Sequence, residues 1–120
     1  RGRKRLIDEL LRVLAEGSTK HPAPVVARAA LSAGRLTNPL TSPSESESKR
    51  FVDHLTRLLK SDSSPEVRYR TFEALRYVVE FGPATIRAAA RQAHSGYDPR
   101  ADEKKALGGE GPFADWKGDE

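Results

Sequence analysis

SSPEVRYRTFEALRYVVEFGP, residues Ser63 to Pro83, opens on Ser-Pro and closes on Gly-Pro, and the fold follows from what lies between. Ser64 offers a hydroxyl to an unpaired backbone N–H at a helix start, and Pro65 sits where its missing donor costs nothing. Val67, Thr71, Ala74, Leu75, Val78 and Val79 recur at three- and four-residue spacings, which places them on one helix face. Gly82 ends the segment and Pro83 begins the next. Between the apolar positions, Arg68, Arg70 and Arg76 alternate with Glu66, Glu73 and Glu80.

The neighbouring segments repeat this grammar. On the amino side, Phe51, Val52, Leu55, Leu58 and Leu59 form an amphipathic stripe, with Ser46 or Ser48 as the expected cap. On the carboxyl side, PATIRAAARQAHSG turns Ile86, Ala89, Ala90 and Ala93 inward and Arg87 and Arg91 outward. Earlier, LIDELLRVLAEG aligns Leu6, Ile7, Leu10, Leu11, Val13 and Leu14 and stops at Gly17. HPAPVVARAALSAG carries Val25, Val26, Ala29, Ala30 and Ala33 on one face and closes at Gly34. Arg35 to Ser48 has prolines and hydroxyl residues without periodicity and is expected to be a loop. No stretch alternates with period two. The expectation is an all-α chain, a right-handed superhelix of five to six stacked helices joined by short connections.

The chain has 120 residues, enough for one modest core, and no cysteine, which removes disulfides and thiolate metal sites and fits an intracellular setting. Met is also absent, so Arg1 is not expected to be a natural start. No apolar run reaches membrane-span length. Charge is unevenly placed: residues 1–97 hold 17 Lys and Arg against 10 Asp and Glu, whereas 98–120 hold four against seven. This divides the chain into a basic helical domain, 1–97, and an acidic, Gly-rich tail, 98–120, expected to be flexible, although Phe113 and Trp116 have the apolar area to dock.

Chemical motifs are few. His21, His54 and His94 fall in separate segments without a second ligand at helical spacing, so no metal is expected. No phosphate-binding loop or nucleophile elbow is present, which points away from catalysis and from any cofactor. Tyr69 and Tyr77, two turns apart, suit packing at a helix interface. The candidate partner-binding set is Arg68, Arg70, Arg76, Arg87 and Arg91, since guanidinium matches carboxylate and phosphate geometry. Against it stands the common arrangement of interleaved charge on a solvated face. RGRKR, with Arg1, Arg3, Lys4 and Arg5, is a second candidate, an arm for an anionic surface or nucleic acid, or simply a disordered charged end.

The run FVDHLTRLLKSDSSPEVRYRTFEALRYVVEFGP resembles the paired central helices of the ENTH, ANTH and VHS superfamily of trafficking adaptors, in the rhythm Val67, Ala74, Leu75, Val78, Val79 and Gly82. Within it the tepsin-like ENTH branch is most similar, through SPSESES, SDSSPEV, IRAAARQAHSGYDP and the element Gly96-Tyr97-Asp98-Pro99. The link from Gly82 to Ile86 is shorter here, and KKALGGEGPF stands where the family has a further helix. The resemblance implies a noncatalytic protein-interaction module of a vesicle-coat adaptor, cytoplasmic and peripheral to endosome or trans-Golgi membranes. Its partners would be coat or sorting proteins, with weak contact to anionic lipid. Two other readings remain from composition and helicity alone: a helical subunit of an RNA- or ribosome-associated assembly, and a HEAT- or ARM-like scaffold fragment.

Overall fold

The computed structural model describes residues 2–41, 44–62 and 64–98, and these form five α-helices with no strand: α1 (Gly2–Glu16), α2 (Ala23–Leu36), α3 (Glu45–Ser61), α4 (Pro65–Phe81) and α5 (Ala84–Ser95). Short 3-10 turns at Gly17–Thr19 and Pro39–Thr41 follow α1 and α2. None of these helices is long and apolar enough to cross a membrane. The tail expected at 98–120 lies outside the described residues beyond Asp98.

Helix α4 forms as its sequence requires. Ser64 Oγ accepts from the Val67 N–H at 3.3 Å, and Pro65 is the first helical residue. The expected stripe is buried except for Val79, which is half-buried, and Phe72 joins it at 2% exposure. The extra burial follows from position: α4 packs on α2, α3 and α5 together, so more than one side of it faces protein. The α4–α5 pair is antiparallel, because the start of α5 meets Val79 near the end of α4 while His94 near the end of α5 stacks on Phe72.

Three boundaries differ from the sequence reading. Helix α3 begins earlier than Ser46 or Ser48 would allow: Ser44 is the cap, in a reciprocal box in which Glu47 N–H donates to Ser44 Oγ and Ser44 N–H to Glu47 Oε1, both at 3.0 Å. Helix α2 runs through Gly34 to Leu36 and is closed by Thr37, whose hydroxyl donates to the Gly34 carbonyl at 2.7 Å. The loop expected over 35–48 is shortened at both ends as a result. Gly2 to Arg5, expected as an arm or a disordered end, instead form the first turn of α1. At the other end of α1, Gly17 has φ +65°, and a Cβ there would meet Asp62 Oδ1 at 2.9 Å, so its glycine is required both by conformation and by the approach of the α3–α4 turn.

Leu6 and Val25, expected inward, are 51% and 46% exposed. Each stands a hundred degrees round its helix from a fully buried neighbour, Ile7 or Val26, and the burial stripe follows the neighbour.

Candidate docking groove

A groove runs between α3 and α5, one stripe of each helix lining it. On α3, Val52, Asp53, Thr56, Leu59 and Lys60 occupy one stripe; on α5 the facing stripe is Ala89, Gln92, Ala93, Gly96 and, just past the helix, Tyr97. Between the two stripes, the second of them including Ala89, Ala93 and Gly96, lies a cleft of about 580 Å³, within the range of ligand-accepting clefts. Val52, Leu59 and Ala93 are buried and form its floor. Asp53, Lys60, Ala89, Gln92 and Gly96 are exposed along its rim, and Thr56 and Tyr97 are half-buried.

Tyr97 is held in place by aromatic packing. Its ring lies 5.5 Å from that of Phe72, whose other neighbour is the buried imidazole of His94, stacked at 4.3 Å with the planes 12° apart. On the opposite wall, Asp53 and Lys60 are seven residues apart, roughly 10 Å along the helix, so the rim carries a negative and a positive charge at separated points. An apolar floor under a rim of mixed charge and amide is suited to hold apolar side chains of a peptide while its polar groups stay wet. The lining contains no paired nucleophile and base. Among the described residues no group of three His, Asp or Glu side chains could hold a metal ion.

The arginines singled out in the sequence do not converge on this groove or on one another. Arg68 Nη1 donates to the Asp62 carbonyl at 2.6 Å, closing the C-terminal end of α3. Arg87 Nε donates to the Val79 carbonyl at 2.9 Å, near the C-terminal end of α4. These two therefore work at opposite ends of α4, a helix of 17 residues and about 25 Å. Arg70 pairs with Glu73 Oε1 at 2.6 Å and lies 4.5 Å over the Tyr69 ring, and Arg76 sits 4.0 Å from Glu80. Arg91 is exposed, with no hydrogen bond or ion pair among the described residues. At the amino end, Lys4 and Arg5 are exposed beside Asp8, Glu9 and Arg12 in a shallow hollow of α1, so charge of both signs is interleaved there. Arg1 lies outside the described residues, and the description of Arg3 is confined to its main chain.

Sequence reasoning passed over Arg57, which belongs with Arg68 and Arg87. Its Nη2 reaches the Leu14 and Ala15 carbonyls at 3.3 and 3.4 Å, at the end of α1, and the His54 Nδ1 at 2.9 Å. Guanidinium only donates, so that imidazole nitrogen accepts and the proton of neutral His54 is on Nε2. Burial, with Arg57 and Arg50 close by, lowers the pKa of His54 below its ordinary value. Tyr77 is also a packing residue: its ring meets Phe81 at 4.7 Å and its hydroxyl accepts from Asn38 Nδ2 at 3.1 Å.

The groove itself has a faint trace in the sequence, the small-residue spacing Ala89, Ala93 and Gly96, of which Ala89 and Ala93 read as core positions. Ala93 is buried as expected but Ala89 is exposed. Comparison with known proteins gives no match among family models, curated proteins or solved structures.

Proposed function

We propose that this chain is a noncatalytic protein-interaction module that receives a short peptide segment of a partner in the α3–α5 groove. The observation that carries the reading is the groove's construction: a buried apolar floor, an exposed rim with Asp53 and Lys60, and a volume of about 580 Å³. The ENTH/VHS resemblance extends the proposal to an adaptor of membrane traffic, its helices stacked as a right-handed superhelix and its partners coat or sorting proteins. Anionic lipid would be a secondary contact through Lys4 and Arg5.

The phosphate-binding alternative is weakened in its helical donor set, because Arg68 and Arg87 are anchored on main-chain carbonyls and Arg70 on a carboxylate. Each of these guanidinium groups keeps further N–H donors, but its anchoring bond fixes where they point, and the main-chain anchors lie at separate helix ends.

The test is a peptide-display selection with the full chain, followed by affinity measurements on Ala89→Glu and Arg91→Glu. Ala89 is exposed on the groove wall, so glutamate there fills and charges the groove without entering the core. Peptide binding that falls at least tenfold in Ala89→Glu and holds in Arg91→Glu supports the reading. Peptides indifferent to Ala89→Glu, or no peptide at all alongside RNA binding that weakens steeply with salt, would overturn it.

A further inference from the structure

We infer that the groove's resident occupant is the chain's own segment 99–120, bound through Phe113 and Trp116, so that a partner peptide must displace it. The inference rests on the groove being a peptide site and adds what regulates it.

The described chain arrives at the groove. Gly96 and Tyr97 line it, and Asp98, the last described residue, follows directly on that wall. Phe113 lies fifteen positions beyond Asp98, and a chain of that length has a root-mean-square reach of about 22 Å. That exceeds the roughly 10 Å between Asp53 and Lys60 along α3, so Phe113 and Trp116 come within range without strain, at an effective concentration on the order of millimolar.

The chemistry is matched as well. Phe113 and Trp116 are three residues apart, the spacing of anchors on one face of a groove-bound helix. Asp115 and Lys117 flank Trp116, so the segment, like the rim with Asp53 and Lys60, carries charge of both signs beside its apolar groups. On the larger scale, residues 98–120 hold seven acids against four bases, while 1–97 hold 17 bases against 10 acids. The long-range field therefore draws the segment toward the helical domain, and the apolar floor selects where its aromatic residues rest.

Trp116 is the chain's sole tryptophan, so the intact protein reports on its own segment. The experiment is acrylamide quenching of the full chain, native and in denaturant, over a dilution series, for wild type, Ala89→Glu and Lys60→Glu, with circular dichroism to verify folding. Native Trp116 should be quenched several-fold less than in the unfolded chain, independently of concentration. Ala89→Glu should raise quenching toward the unfolded level, and Lys60→Glu should raise it in the same direction should Ala89→Glu fail to fold. Full quenching in the wild type, protection indifferent to the foldable groove variants, or protection lost on dilution, which would mean a second copy supplies the segment, would each overturn the inference. Phe113→Ser with Trp116→Ser should tighten binding of a selected peptide about tenfold. Solvated Trp116 with peptide binding still sensitive to Ala89→Glu defeats the inference alone; groove-protected Trp116 with no groove-dependent peptide defeats the functional reading alone.

Discussion

Asp62 joins three parts of the molecule through one residue. Its N–H donates to the Leu58 carbonyl and closes α3, while its carboxylate accepts from the Ser18 N–H at 3.1 Å, the Ser18 hydroxyl and the Ser64 N–H at 2.9 Å. Its carbonyl takes the Arg68 guanidinium. Removing the carboxylate leaves the Ser18 and Ser64 N–H groups without that acceptor, and the site is only part-buried, so water recovers some of the loss. Asp62→Ala should cost about 2 kcal/mol, read as a fall in Tm of roughly 10 °C, and Asp62→Asn, which keeps one oxygen, should cost less. His54 gives the residue scale its pH dependence. In the unfolded chain its imidazole titrates near 6.5, and in the fold burial and the two arginines hold it lower. The unfolded state therefore binds more protons below pH 6.5, and stability is lost as pH falls from there toward the folded pKa. Denaturant midpoints at pH 7.5 and 5.5 should differ in that direction, and His54→Gln, which keeps an acceptor for Arg57 but cannot titrate, should narrow the gap.

Helices α2 and α4 share the most extensive interface in the domain, and Gly34 shows what permits it. A Cβ at Gly34 would lie 2.9 Å from the Ala74 carbonyl oxygen, 3.0 Å from its Cβ and 3.1 Å from its Cα, contacts with backbone that no rotamer relieves. In an exposed helix interior, Gly→Ala stabilises by about 1 kcal/mol. Here Gly34→Ala should reverse that sign and cost about 1–3 kcal/mol by overpacking, seen as a lower urea midpoint, whereas a midpoint raised above wild type would deny the close approach. The sequence reads Gly34 as a stop because a glycine at the end of an apolar pattern is the usual C-cap, and nothing local distinguishes it from a glycine kept for a crossing helix. Ser64 and Pro65 were legible for the opposite reason, since a cap acts on residues two or three positions away. The groove was illegible in kind: periodicity tells which face of α5 is apolar, and Ala89 lies on that face, but only the separation from α3 decides that it stays open.

Across the whole molecule two of the arginines that the sequence offered as a binding surface act as clamps, Arg68 on α3 and Arg87 on α4, and Arg57, which it did not offer, is a third on α1. The last carbonyls of a helix lack intrahelical donors and carry the negative end of its dipole, so a cation from another segment answers both needs. These partners stand 6 to 43 residues apart in the chain, beyond what helical spacing reveals. Basic charge therefore serves the fold before it serves any ligand. Methionine keeps much of the apolar stem and removes the donors, so Arg57→Met, Arg68→Met and Arg87→Met should each cost about 0.5–1.5 kcal/mol. The three sites are on different helix ends, and their costs should add in the triple variant to within a few tenths of a kcal/mol. Arg91→Met, at an exposed position without a partner among the described residues, should leave the urea midpoint unchanged. The contrary pattern, three clamp variants as stable as wild type, would return these arginines to the surface and restore the phosphate-binding alternative that their engagement now weakens.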